Sequence, residues 1–191
     1  MLRHPAYGVA PRYRLAARDS RDVDVSKVLI EAFDRLPDLV RSAVHGLTLE
    51  QLRWAPTADA NPIGWLVWHL SRIQDHHIAE LLEQEQVWVG GDWAGRFGLD
   101  PDPTNTGYGH NPKQVAAVRP ESAQVLIDYY EAVSLGTQKM LRGLKATDLD
   151  RVVDERWDPP VTLGVRLVSV LEDDVQHVGQ AAYVRGLLPR S

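Results

Sequence analysis

Asp173 and His177 stand four residues apart in the stretch Leu171-Glu-Asp-Asp-Val-Gln-His-Val-Gly-Gln180. On a helix, that spacing sends both side chains from one face, one turn apart, where two ligands can grip one metal ion. His69, in Gly64-Trp-Leu-Val-Trp-His-Leu70, lies inside a strongly apolar helical pattern and is the best candidate for a third donor. Two imidazoles and one carboxylate drawn from two helices leave coordination positions open, which separates catalytic metal sites from structural ones. A plainer reading takes Asp173 and His177 as an ion pair on a solvated face and His69 as a hydrogen-bonded core histidine. Spacing by itself leaves both readings open.

Around this trio the polar residues form stripes. Arg166, Asp173, His177 and Gln180 follow one another at spacings of seven, four and three on an otherwise apolar helix. Burying such a stripe without partners is costly, because an unpaired carboxylate loses its hydration. Trp65, His69 and His76 make a comparable stripe on the earlier helix. Other histidines carry blander readings: His76 and His77 point in different directions, His45 suits a helix C-terminus, and His4 is incidental. His110, in a glycine-rich segment, is a candidate to close over a site. The six tryptophans are most economically core and loop anchors, with Trp65 and Trp157 also placed to line a pocket.

The elements that must position these groups are helical. Val25, Val28, Leu29, Ala32, Phe33, Leu36, Leu39, Val40 and Val44 recur at helical spacings and predict a first helix, which Pro37 either kinks or breaks. A second runs from Pro62, capped by Asn61, to about Gln86. Residues 87–118 hold six glycines and three prolines and predict a long irregular loop of the kind that is usually functional. Pro120 opens a third helix that ends at Gly143, and Thr162 caps a fourth that reaches Gly186. With no convincing strand run, the expected architecture is an all-α four-helix bundle over residues 23–191, preceded by an irregular arm over residues 1–22.

Composition narrows the chemistry. The chain of 191 residues has 21 basic and 26 acidic side chains, both signs scattered, for a net charge of −5, which argues against a nucleic-acid partner or a basic membrane patch. It contains no cysteine, so a disulfide framework, a thiolate metal site and a cysteine nucleophile are all excluded. Thiol chemistry here needs a thiol from outside. No apolar run approaches the ~18–20 residues that cross a bilayer, and the first residues lack the apolar core of a signal peptide, so a cytoplasmic location is expected.

The blocks Asn61-Pro-Ile-Gly-Trp-Leu-Val-Trp-His-Leu-Ser-Arg-Ile-Gln-Asp75 and Arg166-Leu-Val-Ser-Val-Leu-Glu-Asp-Asp-Val-Gln-His-Val-Gly-Gln180 resemble the two hallmark helices of the DinB-like superfamily, and the resemblance extends over roughly residues 25–188. It implies a four-helix bundle with a divalent metal, zinc first, with nickel or iron as alternatives, held by His69, Asp173 and His177. Many members carry histidine where this chain has Asp173; the mycothiol-dependent maleylpyruvate isomerase branch similarly places a carboxylate there, a glutamate. The resemblance further implies Gln180 and Asp75 as groups orienting ligands or solvent, Arg166 or Arg72 meeting an anionic part of a substrate, and Trp65, His110 and Trp157 as contacts for substrate or thiol. The activity it implies is transfer or isomerisation with mycothiol or a similar low-molecular-weight thiol attacking an electrophilic small molecule, in a protein expected to be a homodimer. Two other readings stay open: a hydrolase using metal-bound water, and a non-catalytic bundle.

Overall fold

A computed structural model describes residues 25–189. The expected arm over residues 1–22, with His4, lies outside the described residues. The first helical stripe is two helices, α1 (Val25–Asp34) and α2 (Leu36–Val44), with Arg35 between them. Pro37 sits in the first turn of α2, where its missing N–H is harmless; its ring would collide with the carbonyl of Phe33 if α1 ran on, so the chain breaks rather than bends. Both halves still bury one face, with Phe33, Leu36, Val40 and Val44 each at most 1 % exposed.

After the short α3 (Leu49–Arg53), closed by a reciprocal Thr48/Gln51 capping box, the chain enters α4 (Ile63–Leu82). Pro62 rather than Asn61 occupies the cap position and no side chain caps it. The start of the helix lies too tightly packed for a larger residue at Gly64: a Cβ there would come 3.0 Å from the Leu52 carbonyl and 3.2 Å from Pro120. Helix α4 is the central rod of the molecule, buried almost continuously from Ile63 to Asp75, and packs against both α7 (Ala123–Arg142) and α8 (Leu163–Leu187). With α1 and α2 closing the remaining side against α7 and α8, these form the four-helix bundle.

Helix α4 stops at Leu82, short of the expected Gln86, because its own carboxylate recaptures the chain. Asp75 accepts hydrogen bonds from the Val87 and Trp88 amides at 2.9 and 2.8 Å, and Glu83 adopts a left-handed conformation, φ 52°, to make the turn. The long loop that follows is not wholly irregular. It contains α5 (Trp93–Arg96) and α6 (Pro112–Ala117), the latter opened by an Asn111/Gln114 capping box. Helix α7 is capped by the Ser122 hydroxyl, which accepts from Val125 N–H at 3.1 Å, so Pro120 lies before the helix instead of opening it. A two-stranded antiparallel ribbon, β1 (Val152–Asp154) with β2 (Val161–Thr162), precedes α8. Strands of three and two residues are too short to show an alternating pattern, which is why they were not expected. Thr162 ends the ribbon and caps α8, as its position implied. Among the described residues no helix is long and apolar enough to cross a membrane.

Candidate metal centre

Helix α4 brings His69 against the face of α8 that carries Asp173 and His177. The His69 Nε2 to Asp173 Oδ1 distance is 4.0 Å and the His177 Nε2 to Asp173 Oδ1 distance is 3.6 Å. One donor atom from each of the three residues lies within 4.8 Å of the other two. Both imidazoles are oriented from behind. The Thr106 carbonyl lies 2.6 Å from His69 Nδ1, and the Gln180 amide oxygen lies 2.8 Å from His177 Nδ1. An oxygen of either kind only accepts, so each Nδ1 carries a proton, and in the neutral ring Nε2 is the nitrogen left with a lone pair for a cation. Gln180 thus stands behind the His177 ring, where an orienting group would sit.

This donor set fits a divalent cation. Asp173 Oδ2 is buried and has no hydrogen-bond partner within the described protein, an arrangement that costs free energy unless something positive approaches. Burial, opposed by the Thr106 hydrogen bond and the Asp173 charge, lowers the pKa of His69, which keeps its imidazole neutral as a ligand must be. For His177 burial pulls the pKa down, but hydrogen bonds to Asp173 and Gln180 and the Asp173 charge together outweigh it and raise the pKa. Donors about 2.0–2.2 Å from one zinc ion in a tetrahedral site lie roughly 3.4 Å apart, so the Asp173 oxygen at 3.6 and 4.0 Å from the two imidazole nitrogens is already near the required spacing. His69 is buried, whereas the side chains of His177 and Asp173 are 19 % and 27 % exposed, so access is from the α8 side.

Aromatic rings wall the other side. Trp65 stacks on His69 at 4.6 Å and 14°, and meets His177 edge-on at 6.3 Å. Its indole N–H donates to His110 Nδ1 at 3.2 Å, and His110 passes its own Nε2 proton toward Asn105 Oδ1 at 2.9 Å while stacking on Trp68. Trp65 and His110 thus stand in the wall of the site. A cavity of about 290 Å³ is lined in part by Arg53, Asp59, Asn61, Pro112 and His110. Trp157 sits on the β1–β2 turn, 64 % exposed.

The remaining candidates are committed elsewhere. Arg72 is fully buried; it donates to Asn105 O, Asp75, Tyr129, Gln86 and Pro103 O, and its guanidinium lies 4.9 Å from the Trp88 ring centre. No donor is left to meet a substrate. Asp75, ion-paired to Arg72 at 3.2 Å and holding Tyr129 OH at 2.8 Å, anchors the loop instead of orienting a ligand. Arg166 donates to Asp154 at 2.8 Å and faces His77 Nε2 at 3.5 Å, two helical turns along α4 from His69, so it does not reach the trio either. The groups that sequence reasoning passed over are Thr106 and Gly107. Their signal was the Thr106-Gly-Tyr-Gly-His110 segment, but nothing in the sequence says which loop carbonyl finds His69.

His76, His77 and Glu80 also bring donor atoms within 4.8 Å of one another. This set is less favourable for a cation, because the Arg166 guanidinium 3.5 Å from His77 and the Arg156 guanidinium 3.8 Å from Glu80 already bring positive charge to it. Its effect is on stability. Burial first, then the Arg166 charge and His76, lowers the His77 pKa from 6.5 to about 4. Between those values the unfolded chain holds more protons than the folded one, so this contribution is complete above pH 6.5 and is lost as the pH falls toward 4. The loss expected from the shift is at most about 3 kcal/mol. Urea midpoints measured at pH about 7 and about 4.5 should differ less in His77→Gln than in the parent protein.

The fold and this site define a DinB-like helical bundle with a candidate metal centre. The family described as Mycothiol-S-transferase matches residues 28–189, and the chain belongs to that family. A conserved protein from Enterococcus faecalis, known from its crystal structure, is 34 % identical and superposes with a TM-score of 0.79 over 87 % of this chain and 98 % of its own. A comparison with curated proteins gives no match.

Proposed function

We propose that this protein is a divalent-metal-dependent thiol S-transferase that joins mycothiol, or a related low-molecular-weight thiol, to an electrophilic small molecule. The observation that carries the reading is the convergence of His69 Nε2, His177 Nε2 and Asp173 Oδ1, each imidazole locked by a partner on its far nitrogen. Zinc suits two imidazoles and a carboxylate, with nickel and iron as alternatives. A divalent ion bound there supplies a positive charge that favours the thiolate form of an incoming thiol at neutral pH.

The chain's own residues do the rest. His69 and His177 contribute neutral donors, and Asp173 contributes one negative charge. Trp65 and His110 close the site on the α4 side, so the thiol and the electrophile enter past α8. The nucleophilic sulfur belongs to the substrate, since the chain has no cysteine. The sulfur–carbon bond forms as the electrophile's carbon–leaving-group bond breaks, the leaving group departing with the bonding pair; the product is a thioether, and the thiol proton goes to solvent.

The test is a rate measurement with a panel of thiols and a bimane-type electrophile on zinc-, nickel- and iron-loaded protein. Thiol-dependent turnover that is lost on chelation is the expected result. Equal rates with loaded and chelator-treated protein for every thiol would sink the proposal, and thiol-independent ester or amide cleavage would replace it with a hydrolase.

A further inference from the structure

Asn61, the expected cap of α4, does not cap it. Its amide instead lines the cavity of about 290 Å³, together with Arg53, Asp59 and His110. The cavity lies between the segment that joins α3 to α4 and the short helix α6. None of His69, Asp173 and His177 lines it.

The polar groups around this cavity are not used by the fold. Arg53 and Asp59 bring opposite charges to one small space, yet among the described residues neither has an ion-pair or hydrogen-bond partner. They stand farther apart than the ~4 Å of an ion pair. The Asn61 side chain has no hydrogen-bond partner among the described residues either. His110 differs, because Nδ1 accepts from Trp65 at 3.2 Å, Nε2 faces Asn105 Oδ1 at 2.9 Å, and one ring face stacks on Trp68. What remains of it for the cavity is carbon edge or the free ring face, an apolar contact to which Pro62, Pro112 and Val115 add.

This combination selects a class of ligand. A guanidinium and a free amide recognise a carboxylate, a carboxylate recognises an ammonium group, and the apolar wall takes a short hydrocarbon chain. A ligand with one charge would satisfy Arg53 or Asp59 and leave the other facing it unmatched, whereas a zwitterion meets both. Size is limited as well, since the cavity falls just below the ~300–1,000 Å³ of sites for drug-sized ligands. An amino acid fits that limit, and a nucleotide or a long peptide does not.

We infer that this cavity binds a small zwitterion, an α-amino acid with an apolar side chain, its carboxylate at Arg53 and Asn61 and its ammonium group at Asp59. The site uses none of the three metal-binding side chains, so it stands apart from the metal reading, and either can fail without the other.

The Trp65 indole N–H reports occupancy, because its acceptor, His110, lines the cavity. In nuclear magnetic resonance of the full chain, that signal, identified by its loss in Trp65→Phe, should shift saturably with L-alanine, L-valine or L-leucine. Isocaproate and isopentylamine are leucine without its amino group and without its carboxylate, and each should bind about tenfold or more weakly than leucine. Arg53→Gln and Asp59→Asn should each weaken leucine binding by a similar factor. Both side chains are exposed, so the thermal midpoints of these variants should stay at the parent value. Lys113→Gln, exposed on α6 and outside the cavity lining, should bind leucine as the parent does. No saturable shift with any of the three amino acids overturns the inference. So does an analogue that binds as tightly as leucine, or leucine binding that survives both Arg53→Gln and Asp59→Asn.

Discussion

His177→Ala should leave a folded protein that no longer retains a stoichiometric divalent ion. Loss of an outer hydrogen-bond partner of a metal ligand typically costs 10–100-fold in affinity, and loss of a ligand from a three-residue site should cost more than that. His69→Ala should behave alike at the site but differ in stability. His69 is 5 % exposed and stacked against Trp65, so its removal opens a hole worth about 1–3 kcal/mol, whereas His177 is half-buried and its truncation should cost little. Metal content by plasma emission spectroscopy, read beside the thermal midpoint, separates the two effects. Ion retained at parent stoichiometry by both variants would mean that the three side chains hold no metal.

Asp173 sharpens the same experiment. Its Oδ1 lies 4.0 Å from His69 Nε2 and 3.6 Å from His177 Nε2, and its Oδ2 has no hydrogen-bond partner among the described residues. Replacing Asp173 with asparagine keeps the shape and removes the charge. Metal affinity should fall, and the metal-free protein should lose one ion-pair partner of His177, lowering that histidine's pKa. Proton NMR of the imidazole resonances checks the second effect without any metal present.

The trio was legible in the sequence because its parts are local. The spacing of Asp173 and His177 fixes their common face, Thr162 fixes where α8 begins, and the apolar run around His69 marks a helix that must be inside. What could not be read is set by chain closure. Arg72 looked available as a substrate contact, but five partners drawn from residues 75, 86, 103, 105 and 129 enclose it. That enclosure exists only once the loop has folded back. The early end of α4 has the same origin, since Asp75 binds amides twelve and thirteen residues later, and no periodicity encodes that.

Gly107→Val should damage the site without replacing a ligand. Gly107 has φ +92°, and a Cβ built there would lie 2.8 Å from His69 Nδ1, 2.9 Å from Trp68 and 3.1 Å from Trp65. Two costs add. A β-branched residue in that backbone region is strained by about 1–3 kcal/mol, and forcing bulk against the two rings costs about 1–3 kcal/mol more. Relief comes most cheaply by lifting the loop, because His69 and both tryptophans are held in α4 at the centre of the bundle. Lifting it takes away the Thr106 carbonyl that fixes the His69 tautomer, and with it the support of His110 against Trp65. Metal affinity should therefore fall by about 10–100-fold, and the free energy of unfolding by roughly 2–6 kcal/mol. Competition with a metallochromic chelator measures the first and urea unfolding the second. Thr106→Ala serves as the control: the bond comes from its backbone, so affinity should stay near the parent value. A Gly107→Val protein that is destabilised yet binds metal as the parent does would show that the loop carbonyl does not position His69.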